Sequence, residues 1–356
     1  MRVDYIIVGQ GLCGTFLSWN LLKAGKSVLV IDAPQPFTAT KVASGIINPV
    51  TGRRIVRTWM IEDLLPFAID AYTQLGQQIN TTLVEESSIL DFHPTPQMQQ
   101  AFAERLPQEP TYLHLPDKEE DASWQHFFRY NYGIGKIQPA LILHLQAMLA
   151  NWRLYLQQHQ LLLEETFNHG ELVFNTAAEE VQYKDFSAAK IICCDGVAGF
   201  NLPWFNKLPY VRTKGEAIIA DIPGLPRTQL YKQGITIVPW KDGLFWIGSN
   251  YVWDYEDVLP TVAFRKKVEE QLNYWLRIPY TITDHLAAER PANIERRPFV
   301  GLHPHQPLLG ILNGMGTKGC SLAPFFAHEL TQHLLHQLPI NPLADVQRFK
   351  RVLADR

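Results

Sequence analysis

Val3-Asp4-Tyr5-Ile6-Ile7-Val8-Gly9-Gln10-Gly11-Leu12-Cys13-Gly14, with Ser27-Val28-Leu29-Val30-Ile31-Asp32 downstream, decides the fold of this chain. Tyr5 to Val8 is a short apolar run with β-branched residues, the pattern of a buried parallel strand. It runs straight into GxGxxG. Cys13, Phe16, Leu17, Leu21 and Ala24 then recur at helical spacing, and Gly25 stands where a left-handed helix C-cap belongs. A second apolar strand ends in Asp32. In a dinucleotide-binding unit Gly9 allows the tight turn, Gly11 lets backbone amides approach a pyrophosphate, and Gly14 lets helix and strand pack closely. The helix N-terminus faces the phosphates. Asp32, 18 residues beyond Gly14, is spaced to accept the adenosine ribose hydroxyls. The motif leaves FAD and NAD both open, and a glycine-rich turn in another α/β protein is the alternative.

At 356 residues the chain has room for two domains and an ample core. Its formal charge of -3 argues against a broad surface for nucleic acid or anionic membrane, and favours a small ligand recognised locally. The first apolar run is too short for a signal h-region, and no later run approaches the ~20 residues that cross a bilayer. A cytoplasmic protein with no membrane span is expected. Cys13, Cys193, Cys194 and Cys320 show neither CxxC nor zinc spacing and read as buried free thiols rather than a redox pair. His303, His305, His328, His333 and His336 match no metal motif and read as loop and helix-surface residues.

Residues 33–59 lack long periodic elements and contain Ala43-Ser44-Gly45-Ile46-Ile47-Asn48-Pro49, small residues suited either to lying on a flat cofactor or to a surface loop. Residues 61–79 have helical spacing. From 81 to 131 the composition turns to Pro, Gln, Glu and aromatics, with a strand-like piece at 111–115, and reads as an insertion. Residues 133–139 lead into an expected helix with Leu141, Leu145 and Leu149 on one face. Residues 190–196 form another buried strand that puts Cys194, Asp195 and Gly196 at the ligand-binding carboxyl edge. Segments 210–220, 234–238 and 244–248 spell an antiparallel sheet rich in aromatics, among them Trp240, Phe245, Trp246, Tyr251 and Trp253. A helix is expected over 261–276. A strand at 308–312 enters Asn313-Gly314-Met315-Gly316-Thr317-Lys318-Gly319 and a closing helix.

In this order the pieces resemble the D-amino-acid-oxidase-like family of FAD-dependent oxidoreductases, which includes glycine and sarcosine oxidases. GxGxxG alone is unspecific. The resemblance rests on Ala43-Ser44-Gly45, Lys136 to Pro139, Cys194-Asp195-Gly196, Val211-Arg212-Thr213-Lys214-Gly215-Glu216 and Val238-Pro239 before Gly243 and Ile247-Gly248. Arg290-Pro291 and Gly314-x-Gly316-x-x-Gly319 before Leu322-Ala323-Pro324 complete the set, so nearly the whole chain is covered. The resemblance implies an α/β protein, α+β overall. A Rossmann-like FAD-binding domain would be built from 1–80, 132–204 and 286–356, and a substrate domain with a mixed or antiparallel sheet from 81–131 and 205–285. One FAD, noncovalent because no cysteine or histidine aligns with covalent attachment, would meet Gly9, Gly11, Leu12, Gly14, Asp32 and Ala33, then Ala43, Ser44, Gly45 and Ile46. It would also meet Cys194, Asp195, Gly196 and Arg290, and at the far end Gly314, Met315, Gly316, Thr317, Lys318 and Gly319. No second strand-GxGxxG-helix-acid unit offers a separate NAD site.

The implied activity is hydride transfer to flavin N5 from the amine-bearing carbon of a small carboxylated amine, with oxygen or an unknown carrier as electron acceptor. Arg290 matches the family arginine that forks a carboxylate, against a structural salt bridge to Glu289, Glu295 or another acid. Arg296 and Arg297 are alternatives. Lys318 resembles the family's basic residue near flavin N1 and the C2 carbonyl, where it and the following helix N-terminus would stabilise reduced flavin, against a solvated loop lysine. Tyr251 and Trp246 are candidates for the pocket wall, or core aromatics. Arg53 and Arg54 are either cations reaching an acidic substrate or surface charge. Trp246 stands where sarcosine oxidase relatives carry an oxygen-activating lysine, which leaves the electron acceptor open. A flavin dehydrogenase of a 2-hydroxy acid or polyol phosphate, and a noncatalytic FAD-binding protein, are the other readings.

Overall fold

The computed structural model describes residues 1–52 and 54–354, so Arg53 lies outside the described residues. The chain opens with β1 (Arg2–Val8), α1 (Leu12–Lys23) and β2 (Val28–Ile31). Gly25 follows α1 at φ +74, the left-handed value that lets the helix stop and turn back. The short helix α2 (Ala39–Val42) is capped by the Thr38 hydroxyl and leads to β3 (Ile46–Ile47) and the hairpin β4 (Val50–Thr51) and β5 (Val56–Arg57). Next come α3 (Ile61–Gln78), β6 (Val84–Phe92), α4 (Pro96–Arg105), β7 (Leu113–His114) and α5 (Lys118–Trp124). The middle of the chain holds β8 (Ile134–Leu143), α6 (Leu145–Gln158), β9 (Leu162–Leu163), β10 (Leu172–Asn175), β11 (Glu180–Tyr183) and β12 (Phe186–Cys193). It continues through β13 (Tyr210–Asp221), β14 (Leu230–Gln233), β15 (Ile235–Pro239), β16 (Phe245–Gly248) and α7 (Val262–Trp275). Last are β17 (Thr281–Asn293), β18 (Phe299–His303), β19 (Gln306–Asn313) and α8 (Gly319–His336).

Two large sheets organise these elements. The first has eight strands, with β9, β2, β1, β12 and β19 running parallel and β10, β11 and β18 antiparallel at its margins. Ile6, Ile7, Val28, Val30, Ile191 and Ile192 have no solvent exposure, which is why these strands read as continuous apolar runs. Each fully buried side chain of this kind stabilises the fold by ~2 kcal/mol. The second sheet has nine strands, in the order β17-β13-β16-β15-β14-β6-β8-β3 with β7 beside β8. One core fills the space between the two sheets and α1, α3, α6 and α8, and a second lies between the nine-stranded sheet and α7.

One expectation needs correction. The helix read through Leu141, Leu145 and Leu149 begins only at Leu145, and Leu141 belongs to β8. Pairing with β6 along the whole of β8 overrides the helical spacing. β8, at the start of the segment from 132, and β17, which runs into the segment from 286, are strands of the nine-stranded sheet. The sheet outbids chain proximity because β13 is long enough to pair with β17 from Tyr210 to Asp221. No helix among the described residues is long and apolar enough to cross a membrane.

Candidate active site

The three glycines of the first turn are glycine for different reasons. Gly9 has φ +96, and a Cβ there would lie 2.7 Å from the Cys194 carbonyl oxygen. A Cβ on Gly14 would sit 1.8 Å from the Gly9 carbonyl oxygen, so helix and strand can meet only without it. Gly11 is different: its φ is -79 and its nearest neighbour would be Thr40 Oγ1 at 3.5 Å. The protein leaves that space open, as a cradle that a pyrophosphate would fill. No side chain caps α1 beyond the Leu12 N–H, which reaches Thr40 Oγ1 at 3.4 Å, so the amides of its first turn are available to an anion.

Asp32 stands at the end of β2 beside this turn, with Ala33 next to it. One carboxylate oxygen accepts the Gln10 N–H at 2.9 Å, and the other accepts Arg153 Nη1 at 2.7 Å. Arg153 also donates to the Asp32 carbonyl and pairs with Glu164. Sequence reading missed Arg153, since nothing in the amphipathic pattern of α6 separates it from a surface arginine. The segment Ala43, Ser44, Gly45 and Ile46 is stitched to the other sheet: Leu143 N–H donates to Gly45 O at 2.7 Å and Ile46 pairs with Ile142. A Cβ on Gly45 would lie 2.2 Å from Leu143 O.

The far end of the chain closes on the same place. Gly319 at the start of α8 approaches Leu12, with its would-be Cβ 3.3 Å from Leu12 Cδ1, and Tyr72 donates to the Cys320 carbonyl at 3.0 Å. Gly314 and Gly316 turn the chain at φ +75 and +56, Met315 is buried and Thr317 is exposed. Asn313 donates to Gly196 O at 2.8 Å, tying this loop to Cys194, Asp195 and Gly196 at the carboxyl edge of β12. Lys318 Nζ has Thr58 Oγ1 at 3.4 Å and no carboxylate partner among the described residues. Burial pushes its ammonium down to about 8. Asp195 has one carboxyl oxygen sealed from solvent without a donor, and burial raises its pKa to about 7. The cysteines are free, and burial pushes the Cys13 and Cys320 thiols up to about 12. They therefore serve as packing and not as nucleophiles.

Arg290 lies on the face of the nine-stranded sheet turned toward this cradle. Its guanidinium lies across Gly215, where a Cβ would meet Nη2 at 1.9 Å, and the Tyr251 ring covers it at 4.7 Å from Cζ. Nη2 donates to Ser249 Oγ at 3.0 Å, Nη1 to Lys214 O at 3.4 Å, and both reach Asn250 O at 3.2 and 3.3 Å. Every acceptor is neutral. Among the described residues no carboxylate pairs with Arg290: Glu289 lies 3.8 Å from Arg212, and Glu295 lies 3.1 Å from Arg348. Desolvation lowers the Arg290 pKa, as it does for a part-buried cation with no carboxylate beside it among the described residues. Register places Trp246 on the same sheet face, its ring across Gly248, and its indole N–H donates to Val42 O at 2.9 Å. Tyr251 is mostly exposed, at 56%. Arg297 stacks over Trp59 at 4.2 Å, Arg296 and Arg54 are exposed, and none of the three contacts Arg290.

Glycine turns near both chain ends and the uncapped starts of α1 and α8 form a backbone cradle of the kind dinucleotides occupy, and the strand that carries Arg290 runs past it, with Pro291 against Gly196 and Ala292 against Gly316. The model of the DAO family, FAD dependent oxidoreductase, matches residues 4–333, and the chain belongs to that family. It is an FAD-dependent oxidoreductase. Glycine oxidase from Geobacillus kaustophilus superposes with a TM-score of 0.80 at 15% identity, over 96% of this chain and 98% of that one. Iminodiacetate oxidase from Chelativorans gives 0.75 at 17% over 96% and 98%. FAD-bound L-α-glycerophosphate oxidase from Mycoplasma pneumoniae gives 0.71 at 17% over 96% and 97%. The uncharacterized oxidoreductase YurR of Bacillus subtilis is 42% identical over 56 residues, 16% of this chain and 15% of that relative's length.

Proposed function

We propose that this protein holds FAD without a covalent bond and oxidises the C–N bond of a small amino acid or N-substituted amine whose carboxylate pairs with Arg290. The observation that carries this reading is a part-desolvated guanidinium with four hydrogen bonds to three neutral oxygens and no carboxylate partner among the described residues. A planar fork of this kind matches a carboxylate in two hydrogen bonds, and the substrate anion supplies the charge the protein withholds. Bound FAD supplies the hydride acceptor at N5. The protein's part is to bind and orient. Gly9, Gly11, Leu12, Gly14 and Asp32 take the adenosine and pyrophosphate, and Ala43 to Ile46, Cys194 to Gly196 and Gly314 to Gly319 take the rest. Lys318 and the uncapped start of α8 place positive potential where negative charge grows on reduction. Trp246 and Tyr251 wall the substrate side. In this reading 1–80, 132–204 and 286–356 carry the cofactor and 81–131 and 205–285 the substrate, with β8 and β17 spanning both.

A hydroxy acid or polyol phosphate would satisfy Arg290 equally well, since the fork takes carboxylate or phosphate, and the acceptor would then be a carrier other than oxygen. The test is anaerobic. Small amino and N-methyl amino acids, then 2-hydroxy acids, are added to the yellow protein and the visible spectrum is followed. Bleaching by an amine, lost in Arg290→Leu while FAD stays bound, is the expected result. Bleaching by a hydroxy acid alone moves the substrate class, and a spectrum unchanged by every addition favours a noncatalytic role.

A further inference from the structure

We infer that Glu216, acting through Asn250, sets the direction of the Arg290 guanidinium and is a positioning residue of the carboxylate site; this rests on the role given to Arg290 above. β16 ends at Gly248, so β13 before Ala217 has no partner strand on that side. The loop beyond Gly248 takes the strand's place. Lys214 N–H donates to Val252 O at 2.9 Å and Val252 N–H returns to Lys214 O at 3.0 Å. Asn250 completes the mimicry with its side chain: Oδ1 accepts the Glu216 N–H at 2.7 Å and Nδ2 donates to Glu216 Oε1 at 3.0 Å. This double clamp leaves the Asn250 carbonyl free for both Nη atoms of Arg290. One residue therefore links a buried acid to the guanidinium.

Glu216 is 1% exposed, and no lysine or arginine pairs with it among the described residues. Its charge is held by donors alone. Oε2 accepts the Thr261 N–H at 2.6 Å, the Thr261 hydroxyl donates to Oε1 at 2.9 Å, and His285 Nε2 stands 3.1 Å from Oε2. A buried carboxylate tolerates loss of a partner poorly, and its donors come from two elements, Asn250 from the 249–252 loop and Thr261 from the start of α7, with His285 of β17 alongside. A glutamine at 216 could accept from the Thr261 N–H or from Asn250 Nδ2 but not from both, because these donors meet different carboxyl oxygens and its amide would face one of them.

The test uses the FAD-loaded protein, with acetate and glycine titrated against the visible difference spectrum and crystal structures of the variants. Asn250→Ala and Glu216→Gln should each weaken carboxylate binding about tenfold with the flavin spectrum kept, the effect of losing one buried hydrogen bond. The paired exchange Glu216→Gln with Asn250→Asp swaps donor for acceptor and should recover the affinity to within about threefold. In the single variants the guanidinium should leave the Ser249 and Lys214 acceptors. An Arg290 that keeps its position in Asn250→Ala, or a loss that the paired exchange does not recover, overturns the inference. Arg290→Leu separates the two ideas: if it too leaves carboxylate binding unchanged, the role of Arg290 itself is wrong.

Discussion

The glycine turns and the surroundings of Arg290, proposed above as the cofactor cradle and the carboxylate site, are built in opposite ways. The cradle is made of backbone: turns at Gly9, Gly314 and Gly316, open space at Gly11 and uncapped amides at the starts of α1 and α8. The carboxylate site is made of side chains and one cleared floor. Arg290 from β17 lies over Gly215 of β13, beneath Tyr251, and points at a loop that Glu216 and Asn250 hold in place. Backbone sites depend on which residues are absent, so glycine spacing reveals them. Side-chain sites depend on which strands become neighbours, and spacing is silent about that.

The sharpest way to break this comparison is at the glycines, where the fold and the ligand impose different demands. Gly14→Ala should fail as a fold, costing well over ~3 kcal/mol, because a Cβ placed 1.8 Å from a backbone oxygen has nowhere to go; thermal unfolding of the flavin-free protein measures it. Gly11→Val should do the reverse. Its backbone is extended and its surroundings open, so the flavin-free protein should melt within ~2 °C of the parent while FAD retention is lost. A yellow Gly11→Val protein would remove the pyrophosphate from this turn.

At the proposed carboxylate site, Gly215→Ala puts a methyl 1.9 Å from Arg290 Nη2 and must displace the guanidinium. FAD should stay bound while carboxylate affinity falls on the order of a hundredfold, since a misdirected fork loses both its hydrogen bonds. Wild-type affinity in this variant would mean that the cation does not bind the substrate. The smallest effect is at Lys318, whose pKa falls from 10.5 to about 8 in the folded protein. Between these values the unfolded chain binds more protons than the folded one, so flavin-free stability should rise with pH from about 8 to 10.5. Denaturant unfolding of Lys318→Met should show a shallower rise over that window, and an unchanged slope would mean that Lys318 is solvated.

Much of the fold was legible because β1, β2 and β12 are apolar on both faces and α1 ends on a glycine. The helix expected through Leu141 failed because β8 has apolar residues on both faces as well, and a buried strand and a buried helix share that pattern. Arg290 was named as the carboxylate cation, but its freedom from Glu289 and Glu295 was not readable, since Arg212 and Arg348 claim those acids from distant parts of the chain. Arg153 and Asn250 carried no signal, and Gly215 stood in a family segment with no role attached to it.

The sequence by itself pointed to a dinucleotide-binding turn, because glycine conformation and apolar periodicity are local properties of the chain, and the family resemblance put Arg290 first among several candidate arginines. Only the tertiary structure decided that Arg290 has no carboxylate partner among the described residues, that Gly215 is its floor and that Asn250 ties the loop beneath it to Glu216. Those facts are set by strand register and long-range burial, which cost or stabilise nothing until β13, β17 and the loop after β16 lie side by side.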